Sequence, residues 1–429
     1  MKTIEKKYLV PFILVTLLFL LWGIANNMTD TLLSAFKRIM SMTDAQTSLI
    51  QFAFYGSYFC FALPAALYIR KYSYKSGVIL GLALYATGAI LFFPAARTAS
   101  YAFYLIAIYI MAGGCSILET TANPYILAMG SQETSTRRLN IAQAFNPLGS
   151  ITGILLSQFF ILSELSSASA AERATMSDET LKAMQAHELG AVTGTYMTLG
   201  FVLLAIMVIM LLVKMPEASG AGDNDGDTKL GATFARLFRN KKYAYGVLAQ
   251  FAYVGAQIGV WSFTIRLVMK ELGYLEAKAA TVYLISIIGF STARFIFTWL
   301  MKYFTPAKLL AFAAAADIVL SGLVAFCGGT GWFCIGALIG ISIFMSLMFP
   351  TIYGIALEGV EDPANGGRSG DAKIGASGLI MAILGGAIIP PVQGLISDRF
   401  EINAAYLVPL VCFVVVLAYG LMIVKREKA

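Results

Sequence analysis

Residues 101–129 read YAFYLIAIYIMAGGCSILETTANPYILAM. A helix needs about 20 mainly apolar residues to cross the hydrocarbon core of a bilayer, and this stretch exceeds that with a single charge, Glu119, near its middle. Pro124 does not argue against a helix here, because membrane helices tolerate proline where neighbours satisfy the freed backbone groups.

Outward from this stretch the same pattern recurs. The expected spans are 8–36, 45–69, 76–96, 101–129, 138–162, 190–213, 244–269, 278–301, 308–327, 332–357, 373–397 and 403–424. Composition agrees: 58% of the 429 residues are hydrophobic and 13% charged, against roughly a quarter charged in soluble domains. A soluble globule is excluded, and an all-α integral membrane protein with twelve transmembrane helices is expected. The first span follows a basic start, Lys2 to Lys7, but it lacks a small-residue cleavage site and is too long for a signal peptide, so a retained helix is expected.

The net charge of +7 does not imply a nucleic-acid partner, which would need a basic patch on a folded soluble face. It reports topology instead. With twelve spans, 21 of the 31 Lys and Arg residues fall on the side that holds both termini, eight fall on the other, and Arg266 and Arg294 lie within spans. The positive-inside rule then places both termini in the cytoplasm. The five cysteines fall in or beside spans without metal-ligand spacing, so no disulfide framework, metal or cofactor is expected.

The run Glu217 to Asp227 is rich in Gly and Asp and cannot bury itself. It divides the chain into a half at 1–214, a linker at 215–241 and a half at 242–429. The halves echo one another. A basic loop, Arg70 to Lys75, follows span two, and another, Lys302 to Lys308, follows span eight; Pro124 late in span four is matched by Pro350 in span ten. Two similar halves of six helices are characteristic of alternating-access carriers. The polar stretch from Ser163 to Glu188 is an outer insertion in which Ser177 is expected to cap a short surface helix.

Ionisable residues within spans are expensive and are functional-site hypotheses by default. Asp30 shares a helical face with Asn26 and Asn27, although a solvated helix-end residue near Lys37 and Arg38 is the plainer alternative. Glu119 is the costliest carboxylate in this reading, with Asn123 one turn further on. Span five adds Gln143 and Asn146, whose plainer role is interhelical hydrogen bonding. The second half offers Gln250, Gln257 and Trp261 on span seven, Phe290 on span eight and Phe349 on span ten. Carboxylates and carboxamides around a cavity suit a neutral polyol such as a sugar, and aromatic rings suit its apolar face. Burial disfavours an ionised carboxyl, so Glu119 or Asp30 could take up and release a proton as access alternates. Arg294 is expected to pair with a carboxylate or to snorkel towards the cytoplasm, and His187, in the outer polar loop, is not expected to be a ligand.

Read together, Trp22-Gly23-Ile24-Ala25-Asn26-Asn27-Met28-Thr29-Asp30, Leu118-Glu119-Thr120-Thr121-Ala122-Asn123-Pro124 and Asn140-Ile141-Ala142-Gln143-Ala144-Phe145-Asn146 resemble the fucose–galactose–glucose proton symporter family. The resemblance continues through Ala249 to Gln257 and Gly385 to Pro391. It implies a major facilitator fold and a proton-coupled sugar importer of a bacterial inner membrane. Asp30 and Glu119 match the family's intramembrane carboxylates, and Asn27, Gln143 and Asn146 match its polar cavity residues. Glucose and galactose carriers of the family tend to have Gln where Glu119 stands, which favours fucose, whereas Phe349 stands where a Tyr is expected. The implied partners are one sugar, one proton and the lipid bilayer, and a monomer is expected. The alternatives are a glucose or galactose symporter, a non-transporting sugar sensor, or a membrane enzyme, for which the 163–188 loop supplies no cluster of acids or metal ligands.

Overall fold

The computed structural model describes residues 4, 6–40, 42, 44–98, 100–166, 168, 172–173, 175–215, 230–363, 367–368 and 370–428. Twelve helical spans are long and apolar enough to cross a membrane, and no strand occurs among the described residues. They are α1 (Leu9–Ile39), α2 (Asp44–Lys71), α3 (Tyr74–Thr98), α4 (Tyr101–Ala128), α5 (Gln132–Glu164), α6 (Asp178–Leu212), α7 (Lys241–Leu272), α8 (Glu276–Leu300), α9 (Pro306–Phe326), α10 (Trp332–Leu357), α11 (Asp371–Arg399) and α12 (Leu407–Lys428). The Gly- and Asp-rich run from Glu217 to Asp227 lies outside the described residues.

The echo between the two basic loops has a structural form: both start a helix with a side-chain cap. The Ser73 hydroxyl accepts from the Ser76 backbone N–H while the Ser76 hydroxyl accepts from that of Ser73, a reciprocal capping box at α3. At α9 the Thr305 hydroxyl accepts from Lys308 N–H, with Pro306 in the first turn.

Three spans are interrupted near mid-membrane. In α5 one helical segment ends at Gln143 and the next begins at Asn146, with Pro147 in its first turn. In α10 and α11, 3-10 turns at Met345–Leu347 and Ala382–Leu384 separate the α-helical segments. Such breaks free carbonyls from the i→i−4 ladder, and freed carbonyls inside a membrane must find other donors.

Tight helix pairs hold the breaks in place. A Cβ on Gly23 would collide with the Asn146 carbonyl, and one on Gly149 with the Leu20 carbonyl, so α1 and α5 meet backbone to backbone. The matching pair in the other half is α7 and α11, where a Cβ on Gly385 would strike the Phe251 carbonyl. Small residues at such crossings let membrane helices approach closely.

The insertion between α5 and α6 differs from expectation. Ser177 does cap a helix, accepting from the Thr180 N–H at 3.3 Å, but the helix is α6 itself, which runs from Asp178 to Leu212. Residues 178–189 are mostly good helix formers without proline, so nothing stops the membrane helix from continuing outward. Arg173 anchors the insertion to it through a buried bidentate pair with Glu188, at 2.9 and 2.5 Å.

The first six and last six helices touch on the side of the molecule that carries the chain ends. Thr136 at the start of α5 lies under Gly354 of α10, and Arg70 at the end of α2 lies beside Gly370 ahead of α11.

Candidate functional site

Above these contacts, at mid-membrane, lies a cavity of about 140 Å³ between the halves. From the first half α1 contributes Asn26 and Asn27, α2 Phe54, Tyr55 and Tyr58, α4 Glu119, and α5 Gln143, Asn146 and Ser150. From the second half α7 contributes Val254, Gln257, Ile258 and Trp261, α8 Phe290 and Arg294, α10 Phe349 and α11 Ile383.

The carboxamides are set by local backbone. Asn27 donates to the Gly23 carbonyl at 3.3 Å and Asn146 to the Phe19 carbonyl at 3.2 Å, so the α1/α5 glycine crossing aims both side chains. Gln143 donates to Asn123 Oδ1 at 2.8 Å. Glu119 is only 9% exposed, and its Oε2 finds no hydrogen-bond partner among the described residues. The carboxyl thus lines the cavity with one oxygen turned into the protein and unpartnered. Facing it, Trp261 meets Phe290 edge to face at 5.1 Å, and the Trp261 indole N–H also lacks a partner among the described residues.

Arg294 joins the halves. Its Nε donates to the Ser346 carbonyl at 2.5 Å and its Nη1 to the Gln143 carbonyl at 2.9 Å, both at helix breaks, while its guanidinium lies 4.7 Å over the Phe290 ring. The expectation that it snorkels or pairs with a carboxylate is therefore corrected. These hydrogen bonds go to freed carbonyls, which are strong acceptors near mid-membrane.

Two other expected site residues are not on the wall. Gln250 is fully buried and its amide atoms have no partner among the described residues. It lies two turns, about 10 Å, from Gln257 towards the chain-end side, below the cavity floor. Asn123 is also fully buried, and it orients Gln143 instead of facing the cavity. Asp30 lies in α1, but its side chain is outside the described residues. The reading from sequence missed Phe54, Tyr55, Tyr58 and Ser150, although aromatics at i, i+1 and i+4 form a face that could have been noticed. It also missed Asp317 of α9, which at 0% exposure is more deeply buried than Glu119.

The sequence profile of the Major Facilitator Superfamily matches residues 12–370. The chain belongs to this superfamily. Within it, an L-fucose-proton symporter of Haemophilus influenzae is 43% identical, over 98% of this chain and 97% of its own length. A glucose/galactose transporter of Brucella abortus is 33% identical, over 97% of this chain and 95% of its own. The solved structure of FucP, the Escherichia coli fucose:proton symporter, in its outward conformation superposes with a TM-score of 0.89 at 36% identity, covering 97% of this chain and 99% of that one. As a facilitator this chain is a carrier and not an enzyme, and its interrupted helices and midplane cavity are where such carriers hold their substrates.

Proposed function

We propose that this facilitator is a proton-coupled symporter that imports L-fucose by alternating access across a bacterial inner membrane, with both termini cytoplasmic and the monomer as the working unit. The halves 1–214 and 242–429 rock about the central cavity, joined by the linker 215–241. Glu119 is the main proton-linked sugar ligand and Asp30 a second coupling carboxylate. Asn27, Gln143 and Asn146 bond sugar hydroxyls from one side, with Gln257 opposite, while Trp261, Phe290 and Phe349 cover the apolar face of the ring.

The observation that carries this reading is the Glu119 carboxyl, which faces carboxamides and an aromatic pair across a cavity with room for roughly ten waters. That space accommodates one monosaccharide. An unpaired carboxylate inside a membrane costs several kcal/mol, so Glu119 is neutral when the cavity is occluded and exchanges its proton when it opens. Near end-to-end identity to the Haemophilus influenzae L-fucose-proton symporter, 43% against 33% for the glucose/galactose transporter, favours fucose over the hexoses.

The test is L-fucose uptake into proteoliposomes with and without an inward proton gradient, for the native chain and for Glu119→Gln. The gradient is expected to drive accumulation by the native chain and not by the variant. Native vesicles that ignore fucose but accumulate galactose or glucose would establish the hexose reading instead.

A further inference from the structure

Asp317 stands near the middle of α9, fully buried and away from the cavity wall, and neither carboxylate oxygen has a hydrogen-bond partner among the described residues. It is not isolated from other polar groups. Gly340 packs on Leu320, and the Cys334 sulfur approaches the Val324 carbonyl at 4.0 Å. This antiparallel register of α9 and α10 puts Asp317 and Ser342 at about the same depth. Ser321 lies one turn outward from Asp317 on α9, and Ser346 one turn inward from Ser342 on α10. All three serines are fully buried, and their hydroxyls also lack partners among the described residues. Native interiors leave few polar atoms unpaired, and Asp317 is the one residue among the described residues with both carboxylate oxygens buried and unpaired.

The chemistry of the group suggests its role. Serine hydroxyls rotate freely and can either accept from a carboxylic acid or donate to a carboxylate, so the same residues can accommodate both protonation states. The ionised state also needs a positive charge. Tyr253, whose hydroxyl donates to the Met345 carbonyl at 3.0 Å, lies within electrostatic reach of both Asp317 and Arg294. The other titratable groups within the apolar part of the elements packed on α9 are Cys334 and Tyr353 of α10, Cys412 and Tyr419 of α12 and Tyr406 just before α12, none of which is a base or a carboxyl. The charged residues, Lys308 of α9 and Lys425 to Lys428 of α12, stand at the chain-end tip, where Glu427 bonds Thr305. Arg294 is thus the available counter-charge, and in this state its N–H groups are engaged by the Ser346 and Gln143 carbonyls.

We propose that Asp317 is a further proton-binding site, apart from Glu119 and Asp30. It keeps its proton while the halves are closed on the chain-end side. When they part, Gln143 leaves with the first half and Arg294 loses one acceptor. The proton then passes from the Asp317 carboxyl to water entering on that side, and the carboxylate left behind takes Arg294 as its counter-charge. The inference rests on the alternating-access reading above, but the site itself requires no particular sugar.

Infrared difference spectra of the purified full-length protein, recorded as pH is raised from mildly acidic to alkaline, test it directly. The expected result is a protonated-carboxyl band that bleaches, is absent in Asp317→Asn, shifts in Asp317→Glu and survives in Glu119→Gln. In proteoliposomes Asp317→Asn is expected to lose about tenfold or more of its gradient-driven uptake while exchange of internal for external fucose stays within about twofold. A variant spectrum that superposes on the native one overturns the proposal, as does a band that never bleaches. A band that answers to sodium and not to pH makes the site a cation site and overturns the proton assignment. The infrared measurement needs no sugar, so it stands even if native vesicles ignore fucose, the result that sinks the fucose assignment.

Discussion

Gln250 and Gln257 lie on one helix two turns apart, yet they differ in what surrounds them. Gln257 faces the cavity, whereas Gln250 is sealed beneath it with its amide unpaired among the described residues. Replacing Gln257 by Ala is expected to weaken sugar binding by about 1 kcal/mol, roughly fivefold, the worth of one neutral hydrogen bond. Gln250→Leu should leave affinity unchanged and raise the melting temperature, because it removes a buried polar group that costs about 1–3 kcal/mol. Quenching of Trp261 fluorescence in a sugar titration and a thermal melt separate the two. If Gln250→Leu abolishes binding, its placement below the floor is wrong. Much of the cavity wall was legible from sequence because polar side chains are rare in membrane spans and their cost makes each conspicuous. Which turn of the helix meets the cavity was not legible: Gln250 and Gln257 repeat every seven residues on nearly the same face, and only the depth of the closure distinguishes them. Asp317 was legible in principle, since it interrupts the apolar run from Leu309 to Phe326 as plainly as Glu119 interrupts α4.

At the scale of elements the α1/α5 crossing determines where Asn27 and Asn146 point, through the Gly23 and Phe19 carbonyls. Gly149→Val pushes methyl groups into the Leu20 carbonyl, so it should destabilise the protein by about 1–3 kcal/mol as other overpacked cores do, and binding should fall with it. Gly194→Ala on α6 is the control, since a Cβ there meets nothing within 4 Å. Equal melting temperatures for the two variants would refute the crossing's importance. The number and order of spans followed from apolar length alone, but helix breaks and overruns did not. The breaks in α5 and α10 had signals in Pro147 and Pro350, and in α10 the freed carbonyls of Met345 and Ser346 are bonded by the distant Tyr253 and Arg294; the break in α11 had no such signal in its first turn. The expected short surface helix merged into α6 because a change from polar to apolar residues marks the membrane boundary and not a helix end.

For the whole molecule, the contacts that close the chain-end side must open in each cycle. Thr136 and Gly354 are close enough that a disulfide between Thr136→Cys and Gly354→Cys fits the usual Cβ separation of about 3.5–4.5 Å with a small adjustment. Oxidising that pair should stop fucose uptake, and reducing it should restore uptake. Continued transport by cross-linked protein would show that this contact does not part. Two similar halves were legible from the linker and the paired loops, but the face on which they meet was not, because it depends on the conformational state and sequence alone does not select one.

The length of α6 has a practical consequence. Its 35 residues extend about 52 Å at 1.5 Å per residue, which leaves some 20 Å beyond a hydrocarbon core of about 30 Å. Carriers of this size are difficult targets for single-particle electron microscopy, because a detergent belt hides nearly all of the protein used for image alignment. The overhang, braced by Arg173 and Glu188, is a rigid handle: a helical fusion partner grafted in phase onto its outer end, or an antibody fragment raised against it, would turn with the carrier and report its orientation in every image.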